Sequence, residues 1–190
     1  MKKNLLISVL MTVVTTVLLG IIYPLVVTGL AQIFFKDKAN GQLITQNGHI
    51  IGSRIIGQAF TGPAYFHSRP SSAGTGYDAA NSNGSQLGPT NHALIDRVKA
   101  DVATNQADNP GEPVPIDLVT TSGSGLDPDI TPAAAEFQIA RVARERGVSD
   151  TQLHQLIRQH TAQRQFGFLG EPRVNVLELN LDLDAKFSKK

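Results

Sequence analysis

LLISVLMTVVTTVLLGIIYPLVVTGLAQIFF, from Leu5 to Phe35, carries no charged side chain. At 1.5 Å per residue about twenty apolar residues already cross the hydrocarbon of a bilayer, so this run predicts a transmembrane helix. No second run of this kind occurs in the sequence. The chain therefore reads as residues 1–4 on one side of a membrane, a spanning helix over 5–35, and one water-soluble domain over 36–190. A cleavable signal sequence is the competing reading, since Gly29-Leu30-Ala31 loosely resembles a small-x-small cleavage site. Against it, the apolar run is well beyond the roughly 7–15 residues of a signal sequence's apolar stretch.

Lys2 and Lys3 precede the run, and Lys36, Asp37 and Lys38 come after it, with one acid offsetting part of the basic charge. That bias predicts a cytoplasmic N-terminus and an extracytoplasmic domain, anchored by a single pass in the cytoplasmic (inner) membrane. Within the helix, Thr12, Thr16, Gly20, Pro24 and Thr28 recur at every fourth residue, which gathers small or polar groups on one slowly winding stripe. Such a stripe suits docking against another membrane helix, while a lipid-exposed anchor with incidental threonines is the plainer alternative. Pro24 lacks an N–H and predicts a bend in the outer third of the helix.

The 190 residues leave enough chain after the anchor for one domain with its own core. Net charge is +1 with scattered basic residues, which gives no electrostatic footprint for nucleic acid. The sequence holds no cysteine, so disulfides, a lipidated cysteine and thiolate chemistry are excluded.

Beyond the membrane, 43–46 and 49–51 flank Asn47-Gly48, a pair that accepts positive φ at both turn positions, and predict a β-hairpin. Ile55–Gln58 is expected to extend the sheet after a break at Gly52. Residues 60–90 are dense in Gly, Pro, Ser and Asn and predict an irregular segment whose aromatic residues pack either on the chain's own core or on a partner. A helix is predicted from an N-cap at Thr90, with Leu94, Ile95, Val98 and Val102 on one face and Asp96, Arg97, Lys99 and Asp101 pointing away. Ile116, Leu118 and Thr120 alternate as in a strand. Thr131-Pro132 starts a further helix expected to run to Arg146 and stop at Gly147, and Ser149 with Gln152 makes a capping box for the next. At the C-terminal end Leu177, Leu179, Leu181 and Leu183 alternate like a strand, but Asn175 and Glu178 have the spacing of a helix start, and a helix is the reading taken. The fold class expected is a single N-terminal transmembrane helix followed by one α+β extracytoplasmic domain, a β-hairpin or small sheet plus about three helices.

Among the chemical candidates, His49, His67, His92, His154 and His160 never stand at i, i+4 and have no acid cluster beside them, which argues against a metal site. A serine hydrolase with a lysine base would need a buried lysine, but between the flank of the anchor and the C-terminal tail the only lysine is Lys99, on a charged helix face. The loop Thr121 to Asp129 runs into a helix N-terminus, where free N–H groups attract anions; Asp127 and Asp129 oppose that, and a plain capped helix start is the simpler reading.

Five stretches carry a resemblance: IGQAFTG (56–62), YFHSRPS (65–71), GSQLGPT (84–90), LVTTSGSGLDPDITPAAAEFQ (118–138) and VNVLELNL (174–181), with Ile22-Tyr23-Pro24-Leu25 in the anchor. In this order they closely resemble the C subunit family of the bacterial Kdp potassium-transporting ATPase. The resemblance implies no catalysis by the chain itself. It implies an accessory subunit that assembles with a channel-like potassium-binding subunit, a P-type ATPase pump subunit and a small single-helix subunit, and that has been described as a catalytic chaperone raising the pump's ATP affinity. It implies no cofactor of the chain's own, with ATP reached through the complex, and marks Gln138, with Gly123 and Gly125, as candidate nucleotide contacts. Physical chemistry opposes this last point, because an outward-facing neutral amide is a weak phosphate ligand where ATP is not held. A membrane-anchored envelope hydrolase or a solute-binding module stands as the alternative.

Overall fold

The computed structural model describes residues 1–187, so residues 188–190 of the expected 36–190 domain lie outside the described residues. The chain separates into two compact units, Met1–Ile50 and Ile51 onward. In the first, α1 (Lys2–Val17) continues through a π turn at Leu18–Ile22 into α2 (Tyr23–Phe34). The joined helix Lys2–Phe34 is long and apolar enough to cross a membrane, and none of its residues is buried. Pro24 supplies no N–H, so the i→i−4 ladder cannot close through it. The wide turn just before it takes up the defect, with the Tyr23 N–H donating to Leu18 O. The distortion expected at Pro24 therefore takes the form of a π turn.

A short helix, α3 (Lys36–Ala39), leads to β1 (Leu43–Gln46) and β2 (His49–Ser53). Asn47 (φ +52°) and Gly48 (φ +80°) both adopt the left-handed region, as the predicted hairpin turn requires.

The second unit holds α4 (His92–Asp108), β3 (Asp129–Ile130), α5 (Pro132–Phe137), α6 (Ile139–Arg146), α7 (Asp150–His160), β4 (Thr161–Ala162), β5 (Arg173–Asn175) and α8 (Val176–Lys186). Its antiparallel sheet has the order β3-β5-β4, with Val174 opposite both Ile130 and Thr161. Leu153, Leu156 and Ile157 of α7 meet Leu179 and Leu183 of α8 and Val142 of α6 in one core. Burying each such side chain stabilises by about 1.5–3 kcal/mol. Ser149 and Gln152 form the expected capping box, Gly147 ends α6 at φ +65°, and Asn175 caps α8 by accepting from the Glu178 N–H.

Five expectations are corrected. Residues 116–120 are not a strand: Ile116–Leu118 is a 3₁₀ turn, in which Ile116 is 69% exposed while Leu118 is 5% exposed. Three residues per turn put the two on different faces, and the turn brings the Asp117 carboxylate to the Thr131 N–H at 2.8 Å. Ile55–Gln58 leaves the sheet after Ser53, because Gly57 N–H donates to Leu126 O at 2.8 Å and a Cβ there would stand 2.5 Å from Asp127 O. The helix expected over 131–146 is two, α5 and α6, divided at Gln138. The N-cap of α4 is Asn91, whose carboxamide oxygen accepts from the Ala93 N–H, and Arg97 and Asp101 lie half-buried as an ion pair.

Candidate functional site

The 60–90 segment forms no helix or strand, yet Phe66 within it is fully buried. An extended chain alternates the directions of its peptide groups, so a buried stretch outside a sheet needs partners on two sides. Here side chains supply them. Asn180, on the buried face of α8, accepts from the Phe66 N–H and donates to Phe66 O, both at 2.9 Å. Gln138, at the break between α5 and α6, does the same for the next residue: its Oε1 accepts from the His67 N–H at 2.7 Å and its Nε2 donates to His67 O at 3.1 Å. The two carboxamides thus stand in for neighbouring β-strands.

Two arginines complete the clamp. Arg141 donates to Pro63 O, to Tyr65 O and to Gln138 Oε1, and pairs with Asp108 at 3.1 Å. Arg146 donates to Ala64 O and Phe187 O, pairs with Asp184 at 2.7 Å and lies over the Tyr65 ring at 4.7 Å. Every carbonyl from Pro63 to His67 therefore accepts a hydrogen bond from a side chain of α6, α8 or the α5–α6 break. Charged donors make stronger bonds than neutral ones.

Burial sets the electrostatics here. Desolvation pulls the Arg141 guanidinium below its ordinary pKa, with Asp108 opposing. His67 is lowered by burial first and by Arg141 second, so its neutral form is favoured. Gly62 O, 3.0 Å from Nε2, can only accept, which fixes the proton on Nε2. The set is built to hold main chain: two neutral amides, two paired guanidiniums and an imidazole whose N–H is already spent.

The Gln138 side chain is 4% exposed, and its second amide N–H donates to Ala134 O at 3.1 Å. Both N–H groups and the carbonyl, which accepts twice, are engaged within the chain. Gly125 is buried at φ +68°, where a Cβ would stand 2.5 Å from Asn83 O, and its own carbonyl accepts from Ser71 Oγ at 2.6 Å. Gly123 is exposed, with its carbonyl beside Gly84. The segment 67–71 thus touches Gln138 at its start and Gly125 at its end. At the N-terminus of α5, the Thr131 side chain caps the Ala134 N–H and Asp117 takes the Thr131 N–H. An internal carboxylate thereby occupies the place considered for an anion. A cleft of about 390 Å³ lined by Phe60, His67, Arg69, Tyr77, Asp101 and Leu118 among others lies beside the clamp, and none of Gln138, Gly123 and Gly125 lines it.

In the membrane helix, Thr12, Thr16, Gly20, Pro24 and Thr28 are all exposed. Thr12 Oγ1 donates to Ser8 O at 2.8 Å, and a Cβ at Gly20 would meet only Thr16 Cγ2 at 3.9 Å. A four-residue spacing drifts by about 40° per step on an α-helix, which would spread these five over about 160°. A π turn inserts about one residue, so it rotates the residues C-terminal to it back by about 100°. Thr12, Thr16, Pro24 and Thr28 then fall within about 60° of one another, with Gly20 in the wide turn itself.

Sequence reasoning passed over Arg141, Arg146 and Asn180. A signal was available for Asn180: Val176, Asn180 and Leu183 have the i, i+4, i+7 spacing of one face, and all three are buried.

Comparison with known proteins agrees with the motif order. Residues 5–185 match the family model described as KdpC, K+-transporting ATPase, c chain. The chain is 74% identical over 185 residues to the potassium-transporting ATPase KdpC subunit of Koribacter versatilis, covering 97% of this chain and 96% of that one. It is 56% identical over 177 residues to the protein of the same name from Acidobacterium capsulatum, covering 93% and 95%. It is 57% identical over 174 residues to that of Rhodospirillum rubrum, covering 90% of each. A membrane-length helix, five motifs in order and a match over nearly the whole length lead to one conclusion: the chain belongs to the KdpC family, the c chain of K+-transporting ATPases.

Proposed function

We propose that this chain is a non-catalytic accessory subunit of a high-affinity, ATP-driven potassium importer, in which a partner subunit hydrolyses ATP. Its membrane helix docks through the Thr12–Thr28 stripe onto the other membrane-embedded subunits, namely a channel-like potassium-binding subunit, a P-type pump and a small single-helix subunit. Its large domain stands outside the cytoplasmic membrane and stabilises the complex or shapes the access of potassium. The observation that carries the subunit reading is the KdpC match over residues 5–185, and the saturated, buried amide of Gln138 supports a scaffold for the 60–90 segment over a contact to phosphate. Any effect on ATP affinity is then transmitted through the pump subunit. An envelope hydrolase or a solute-binding module has less support, because the buried polar side chains are spent on main chain. Deleting the chain is expected to abolish growth where cells depend on high-affinity uptake at low potassium, and to leave growth at high potassium unchanged. Unimpaired growth at low potassium would overturn the proposal.

A further inference from the structure

Between β4 and β5 the chain turns at Phe166-Gly167, where φ is +53° and +81°. Gln165 and Leu169 exchange backbone hydrogen bonds, both at 2.9 Å, and two further bonds, Phe168 N–H to Gln165 O and Gly167 N–H to Arg164 O, close the tip. The tip is therefore rigid without a partner. A left-handed conformation suits Gly, Asn or Asp, and an aromatic residue there is strained. The strain gives the chain nothing in return: Phe166 is 87% exposed, Phe168 71% and Leu169 47%. Three large apolar side chains on a stiff, strained turn mark a surface made for something outside the chain.

The charges around the tip decide what that is. Arg164 pairs with Glu171 across the base, and Arg173 pairs with Asp129 at 2.9 Å. Interfacial lipid anchors keep cations free for headgroup phosphates. Here both flanking cations are neutralised internally, and the chain already carries a helix long enough to span a membrane. We infer that the Phe166–Leu169 tip is a knob that seats in an uncharged apolar socket on another subunit of the same transport ATPase. The inference rests on the reading of the chain as a subunit of that complex.

Two substitutions in the full-length chain test it. Phe166→Asn keeps the turn and relieves its strain, so it is expected to raise the Tm of the isolated chain in detergent by roughly 2–4 °C. The same variant is expected to reduce co-purification with the other subunits roughly tenfold or more, as removal of a central aromatic anchor does. A photo-crosslinking amino acid at Phe168 is expected to give an adduct with the mass of this chain plus one other subunit. Retention of Phe166→Asn at the wild-type level would overturn the inference, and so would crosslinking to lipid alone. If the wild-type chain itself failed to co-purify, the subunit reading would fall as well, so the two failures are distinguishable.

Discussion

Gln138 and Asn180 are single residues that do the work of strands. Each offers one donor and one acceptor to a main-chain residue that no sheet pairs, and together they make the irregular 60–90 stretch compatible with a buried Phe66. Replacing Gln138 with Ala leaves the His67 N–H and carbonyl and one Arg141 N–H without their partner. A buried polar group stripped of its hydrogen bond costs about 1–3 kcal/mol. Gln138→Ala is therefore expected to destabilise the full-length chain by about 2–4 kcal/mol, read as a Tm lowered by roughly 5–15 °C. A residue whose role was confined to touching a nucleotide would leave the Tm of the nucleotide-free chain unmoved, and that result would count against the clamp. Arg141 separates the two roles further, since its guanidinium remains paired with Asp108 in the variant and keeps α6 tied to α4.

At the scale of elements, local chemistry wrote most of the fold. The Asn47-Gly48 turn, the Ser149–Gln152 box, the Gly147 stop and the Asn175 cap are short-range devices whose atoms lie within a few residues, so the sequence declares them. Over 116–120 alternation points to a strand because it counts apolar letters, whereas the long-range bond from Thr131 N–H to Asp117 selects a 3₁₀ turn at Ile116–Leu118. The α5–α6 break is silent in the sequence for the same reason: Gln138 favours a helix locally, and its bonds to His67 span 71 positions. The candidate nucleotide residues were legible only through resemblance, and the clamp partners Arg141 and Arg146 only through structure. In the membrane helix the proline and the spacing of small residues were both visible, but the π turn that brings them onto one face was not. That turn sharpens the docking hypothesis. A leucine at Gly20 would project from the wide turn on the stripe and hold a neighbouring helix away. Gly20→Leu is expected to cut recovery of the other subunits after detergent extraction several-fold while leaving the helix content of the chain intact by circular dichroism; recovery at the wild-type level would remove the stripe from the interface.

At the scale of the whole molecule, the side of the membrane that carries the second unit determines the mechanism. The placement proposed above, with the second unit outside, rests on the amino terminus, Lys2 and Lys3 before the span set against Lys36, Asp37 and Lys38 after it. With the domain outside, the clamp and the aromatic tip act on the outer surfaces of the complex, and ATP is felt only through the pump. With the domain inside, the region from Gly123 to Gln138 would share a compartment with ATP, and a nucleotide would have to displace the internal bonds of Gln138 to reach it. The chain lends itself to the decision because it has no cysteine. Thr151, exposed in the first turn of α7, can be replaced by Cys to give a single thiol on the large domain. A membrane-impermeant maleimide is expected to label Thr151→Cys in intact spheroplasts as fully as after lysis. A second cysteine variant, Asn4→Cys, which leaves Lys2 and Lys3 in place, is expected to behave oppositely and react only once the membrane is opened. Reversal of the two patterns would move the domain to the cytoplasm and restore direct contact with ATP as the simpler mechanism.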